Sequence, residues 1–127
     1  MPIDATQPYD DDNIFARILR GEIPSRHRYE DQHVLAFDDI SALAPIHVLV
    51  VPKGRYVSWD DFSANASDSE IAGLVRAVGK VAREAGLVKS GYRVLANVGA
   101  NSGQEVAHLH LHVLGGRPLG PMLTRLR

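Results

Sequence analysis

The segment AHLHLHVL, residues 107–114, alternates two kinds of side chain without a break, and that period leaves the chain little conformational choice. His108, His110 and His112 fall at every second position, with Ala107, Leu109, Leu111 and Val113 between them. A period of two belongs to a strand, whose successive side chains point to opposite faces. On one strand face the three imidazoles stand about 6.6 Å apart along the chain. The leucine face is then free to pack under helices. The sequence predicts that VAHLHLHVL, residues 106–114, is the last long strand, with imidazole where Thr, Lys or Glu would ordinarily sit.

The remaining chain supplies partners for such a strand. Asp10, Asp11, Asp12 and Asn13 can cap a helix over IFARILRGEIP, where Ile14, Phe15, Ile18 and Leu19 recur at helical spacing and Gly21 and Pro24 end the pattern. HRYED and HVLAFDD read as two short strands, and IHVLVVPK as a buried β-branched one. In SDSEIAGLVRAVGKVAREAG, Ser67 and Glu70 make a capping box ahead of an apolar stripe of Ile71, Leu74, Val75, Val78, Val81, Ala82 and Ala85, with Gly86 as its stop. GYRVLANVG reads as a strand, ANSGQE as a loop, and the Gly- and Pro-rich tail from residue 115 to 127 as irregular. The order is helix, three strands, helix, two strands. Short connections favour an antiparallel sheet with the helices gathered on one face, an α+β fold. Residues 1–12 read as a polar, mobile lead-in, and 13–127 as a single domain.

Composition narrows the function. At 127 residues the chain can bury about two-thirds of its unfolded surface without a staple. It has no cysteine, which removes disulfide frameworks and thiolate metal sites and fits a cytoplasmic protein. A formal net charge of −1 argues against a nucleic-acid binder, though a single nucleotide needs only a few local donors. No apolar run reaches membrane-span length, and the first residues lack the pattern of a secretory signal.

At an effective dielectric of 20, two positive charges about 6.6 Å apart repel by roughly 2.5 kcal/mol. Three neighbouring imidazoles therefore resist triple protonation, and some stay neutral near pH 7. A neutral imidazole is a nucleophile, and a protonated neighbour can donate to an oxyanion. Three readings follow from the row alone: attack on phosphorus, a metal cage, or a solvated face rich in histidine. The second strains geometry, because ligands at successive i, i+2 positions of one strand fit a tetrahedron poorly.

Beyond the row itself, HLHLHVLGGR resembles the signature of the histidine-triad (HIT) family, His-x-His-x-His followed by apolar residues. Gly115, Gly116 and Arg117 resemble the Hint-like branch of nucleoside phosphoramidases rather than the dinucleoside-polyphosphate hydrolases, and His112 argues against the uridylyltransferase relatives, which carry glutamine there. NIFARILRGEIP, VLAFDDISALAPIHVLVVPK, GYRVLANVG and SGQEVAHLHLHVLGGRPLGPML all match in order, so the resemblance runs from about Asn13 to Leu123.

The resemblance implies a five-stranded antiparallel sheet with two helices, joined to a second copy as a ten-stranded sheet. It implies a purine nucleoside phosphoramidase or nucleotidyl hydrolase, needing no cofactor, that cleaves amines from the α-phosphate of AMP or GMP. In that scheme His110 is the nucleophile that forms a nucleotidyl-histidine, His112 binds a phosphate oxygen, and His108 supports them in a network with His47. His47 also alternates with Ile46 and Val48 as a packed strand residue would. Asp39 resembles a ribose-binding acid, although its place after AFD is equally that of a turn residue. Asn97 resembles a phosphate-contacting amide, and Gly103, Glu105 and Val106 a loop whose backbone N–H groups face the anion. Ile14, Phe15, Ile18, Ile23, Phe37 and Ile40 resemble the slot for the base.

Two positions depart from the family. Glu105 stands where some members have serine, and an ionised carboxylate cannot donate to phosphate. Ala107 stands where an aromatic residue is common. The resemblance also places the long helix and GYRVLANVG at a homodimer surface, and the tail near the partner's site, with Arg125 and Arg127 beside an acidic leaving group. A nucleotide-binding interaction module with weak or no turnover, and a histidine-ligated metal hydrolase, remain as alternatives.

Overall fold

A computed structural model describes residues 2–124. Five strands form one antiparallel sheet in the order β1-β2-β3-β5-β4, with β1 at His27–Glu30, β2 at Val34–Asp38, β3 at Ile46–Pro52, β4 at Tyr92–Leu95 and β5 at Leu111–Gly115. Strand β3 is the hub. It pairs along one edge with β2, from Val34 opposite Pro52 to Asp38 opposite Val48, and along the other with β5, from Ile46 opposite Gly115 to Val50 opposite Leu111. Its IHVLVVP run is β-branched and lies almost wholly out of solvent, which is where such residues gain most.

Helix α1 (Ile14–Leu19) begins where Asn13 accepts the Ala16 N–H at 2.9 Å. Helix α3 (Asp68–Glu84) begins at the Ser67/Glu70 capping box and ends as Gly86 takes a positive φ of 72°. Between β3 and α3 lies α2 (Trp59–Asn65), a helix that the hydrophobic pattern does not announce. It has one buried apolar residue, Phe62, but also its own capping box of Ser58 and Asp61. That Ser-x-x-Asp spacing was the available signal.

Alternation divides the strand residues between two cores. Val34, Ala36, Val48, Val50, Leu109, Leu111 and Val113 face α2 and α3, packing on Phe62, Leu74, Ala77, Val78, Val81 and Ala82. Leu35, Phe37, Leu49 and Val51 face the other way, onto Phe15 and Ile18 of α1. The helices are therefore not gathered on one face: α1 lies opposite α2 and α3. The reason is the odd-numbered residues of β2 and β3, whose apolar face also had to be covered.

Three further expectations change. Strand β5 starts only at Leu111, so His108 and His110 precede the ladder although Leu109 and Leu111 still alternate inward. The strand in GYRVLANVG stops at Leu95. Val75, placed on the buried stripe by spacing, is 59% exposed, because the stripe that meets the sheet is centred on Leu74 and Val78. Residues 116–124 carry no helix or strand. Among the described residues no helix is long and apolar enough to cross a membrane.

Candidate active site

Between α1 and the sheet lies a cavity of about 450 Å³. Its apolar wall is Ile14, Phe15, Ile18, Ile23, Phe37 and Leu49, and its polar wall includes Asp39, His47, Asn97, Gly103, Glu105, Val106, His110 and His112. Every candidate catalytic or nucleotide-binding residue lines it except His108, although they come from α1 and the turn after it, β2 and the loop after it, β3, the segment after β4, the approach to β5 and β5 itself. Ile40 stands at the rim, 97% exposed, rather than inside the slot. Arg125 and Arg127 lie outside the described residues.

The hydrogen-bond partners fix which nitrogen of each ring carries the proton, because a carbonyl can only accept and a backbone N–H can only donate. His110 Nδ1 lies 2.8 Å from the His108 carbonyl, so Nδ1–H donates and Nε2 keeps its lone pair. The Leu43 N–H donates to His47 Nδ1 at 3.1 Å. The neutral His47 therefore carries its proton on Nε2, which donates to His112 Nδ1 at 2.8 Å. His112 then holds its own proton on Nε2, a buried atom without a protein partner among the described residues. One wall of the cavity thus presents a free lone pair beside a free donor, on rings whose centroids are 5.1 Å apart.

His108 is arranged differently. Fully buried, it donates from Nε2 to the Pro52 carbonyl at 2.8 Å and accepts at Nδ1 from the Tyr9 hydroxyl at 2.6 Å. The expected network with His47 does not form, because His112 is the ring that His47 reaches. His108 touches the site through its carbonyl alone.

All four rings favour the neutral form. Burial is the first cause in each case and pushes His108 and His112 down to about 4, with the neighbouring imidazoles adding to it. His110 is lowered by burial too, against the opposing pull of its bond to the His108 carbonyl and of the Asp39 and Glu105 charges. His47 is lowered by burial and partly restored by Asp39, whose Oδ2 lies 3.5 Å from His47 Nε2. The repulsion inferred from spacing is present, but desolvation outweighs it.

Asp39 is both a turn residue and part of the cavity wall. Its Oδ1 accepts the Ser41 N–H at 2.8 Å, closing a turn, and the residue lines the cavity beside His47. The Gly103 N–H is engaged by the Ala100 carbonyl at 3.1 Å, so it is not free to face an anion. Glu105 is exposed at the cavity wall. Asp39, His47 and His112 bring ligand atoms within 4.8 Å of one another, a different trio from the three histidines of the row. Their facing nitrogens are already hydrogen-bonded to each other.

Sequence reasoning passed over three residues. Buried Gln104 ties the loop together, accepting the Gly99 N–H at 2.9 Å and donating to the carbonyls of Val57 and Val106 at 2.8 and 2.9 Å. Ser25 lines the cavity with its hydroxyl oxygen buried and unpartnered among the described residues. Tyr9 sits within the polar lead-in and reaches His108 across 99 positions of sequence, which no local pattern reveals.

Known proteins resemble this chain in sequence and in fold. A family model described as the HIT domain matches residues 20–119. A 13.2 kDa HIT-like protein of Azospirillum brasilense is 61% identical over 117 residues, covering 92% of this chain and 96% of its own. The purine nucleoside phosphoramidase of Escherichia coli is 42% identical over 114 residues, covering 90% of this chain and 95% of its own. Among solved structures, a HIT family hydrolase from Clostridium thermocellum superposes with a TM-score of 0.81 at 37% identity, covering 90% of this chain and 98% of that one.

Proposed function

The chain belongs to the HIT domain family, and from that premise we propose that it is a nucleotidyl hydrolase cleaving amines from the α-phosphate of purine nucleoside phosphoramidates. The observation that carries this reading is the pairing of a bare His110 Nε2 with an unpartnered His112 Nε2–H on one wall of a cavity whose other wall is apolar. The apolar slot takes the base and Asp39 the ribose hydroxyls. The His110 Nε2 lone pair then forms a bond to the α-phosphorus as the P–N bond to the amine breaks.

The His112 Nε2–H donates to a phosphoryl oxygen as its charge grows. A bound phosphoryl anion raises the proton affinity of the coupled His112–His47 pair, which supplies the proton that the departing nitrogen needs. Water next attacks the phosphorus, its proton passing back to the His112–His47 pair, and the P–N bond to His110 breaks, releasing the nucleoside monophosphate and the neutral imidazole. No metal ion enters these steps.

Homodimerisation belongs to the same reading. Strand β4 is an edge strand, and Tyr92 and Val94 are exposed on it beside Trp59, Val75 and Val98. All of these except Tyr92 border an apolar groove of about 440 Å³ that also includes Val78, Leu95, Ala96 and Leu111. An exposed edge next to a contiguous apolar patch suits pairing with a second copy.

The test is steady-state cleavage of adenosine 5′-phosphoramidate by wild type and His110→Ala, each with and without chelator. Turnover that resists chelator and disappears in His110→Ala supports the reading. Loss on chelation would transfer the chemistry to the Asp39, His47 and His112 cluster. An inactive wild type that binds AMP tightly would make the protein a binding module.

A further inference from the structure

We propose that Tyr9 is a positioning residue for the nucleophile, acting through His108; the inference rests on His110 being that nucleophile. Strand β3 continues to Pro52, but its pairing with β5 ends at Val50 opposite Leu111. Beyond that point the chain carrying His110 and His108 peels away from the ladder. The Pro52 carbonyl, which a longer β5 would approach through its backbone, instead accepts from the His108 ring at 2.8 Å. A side chain thus replaces a strand hydrogen bond. The other anchor of this segment is the Leu109 N–H, which donates to the Tyr56 carbonyl at 2.8 Å.

The His108 ring therefore sets where the His108 backbone lies, and the His108 carbonyl is what holds His110 Nδ1–H at 2.8 Å. That bond keeps the proton off Nε2. For the ring to donate to Pro52 it must keep one tautomer and one orientation, with Nδ1 as acceptor. The Tyr9 hydroxyl supplies the matching donor at 2.6 Å, with its ring edge-on to the imidazole at a centroid distance of 5.5 Å. In a fully buried imidazole an acceptor without a donor is costly, and a ring flip would break the bond to Pro52.

Tyr9 is itself held. The Arg55 guanidinium stacks over its ring at 5.1 Å and bonds both carboxylate oxygens of Asp11 at 2.9 Å, while Arg20 donates to the Asp11 carbonyl at 2.9 Å. The same stretch of chain leads into Asn13, which caps α1, and α1 sets Phe15 edge-on to His110 at 4.9 Å. The segment from Tyr9 to Phe15 therefore braces both the row of histidines and the apolar wall opposite.

The variant Tyr9→Phe removes the hydroxyl and keeps the ring under Arg55, so it separates positioning from packing. Expected are a fall in kcat of about tenfold with KM within about twofold. Side-chain nitrogen NMR should show His108 and His110 each in one tautomer in wild type, and mixed tautomers at both in the variant. Unchanged kcat together with unchanged tautomers overturns the proposal. So does a fall in activity that merely tracks the loss of folded protein. The NMR comparison needs no turnover, so an inactive wild type would sink the hydrolase reading while leaving the role of Tyr9 to be decided by the spectra.

Discussion

The two faces of the sheet share the same strands and have been put to opposite uses. The face under α2 and α3 is packed with apolar side chains, with Leu74, Leu109, Val48, Val50 and Val113 essentially without solvent contact. The face under α1 begins in the same way, with Phe15, Leu35, Phe37 and Val51, and then turns polar along β3 and β5 at His47 and His112. A short helix covers only part of that face, and the uncovered part is the cavity. One face supplies stability so that the other can hold several buried imidazoles, each disfavoured by desolvation, in fixed tautomers.

Substitutions on the two faces should therefore fail in different ways. The largest effect is expected from His110→Ala, with kcat falling by about a thousandfold or more in single-turnover assays while AMP affinity and melting temperature stay near wild type. Leu74→Ala should do the reverse. Truncating a fully buried leucine costs about 2–5 kcal/mol, read by urea unfolding, with kcat per folded molecule retained. Loss of catalysis there beyond the unfolded fraction would show that the two faces are not independent.

Acid should unfold the protein through its histidine face. The unfolded chain protonates His108 near 6.5 and the folded chain only near 4, so the unfolded state binds more protons between those values. Stability from this residue is complete above pH 6.5 and is lost as pH falls towards 4, by on the order of 3 kcal/mol. His47, His110 and His112 shift in the same direction and steepen the loss. Denaturant titrations at a series of pH values test it, and a flat profile would mean that His108 is not held buried and neutral.

Smaller effects sharpen the comparison further. Asp39→Asn should raise KM for a phosphoramidate by about tenfold through weaker ribose contacts, with little change in melting temperature. Val94→Lys, half-exposed on the edge strand and a member of neither core cluster, should shift sedimentation towards monomer without unfolding the chain. An unchanged mass for that variant would leave the apolar groove without its proposed occupant.

Much of the fold was legible because it rests on local periodicity. The β-branched run in β3 and the capping box of α3 each specify an element with little help from the rest of the chain, while the alternation at residues 107–114 gives the inward and outward faces but a strand only from Leu111. Helix α2 was not legible by periodicity, since seven residues with one buried phenylalanine leave no stripe to find. The cavity was legible through family resemblance rather than through chemistry. Without it, Ile14, Phe15 and Ile18 read as ordinary core, and indeed Phe15 and Ile18 serve as both core and wall.

The sequence by itself determined that three imidazoles share one side of an alternating segment, that they resist joint protonation, and that α+β packing would bury their leucine neighbours. Tertiary structure decided what each imidazole does. Proton placement depends on which backbone group lies opposite each ring: Leu43 for His47, the His108 carbonyl for His110, Pro52 for His108. Those partners meet because β3 outruns β5 and because Tyr9 returns across the length of the chain to the buried ring. Spacing along a strand fixes which face a side chain points to, but only the fold sets the donor or acceptor it meets there, and for a histidine that partner decides between nucleophile, donor and brace.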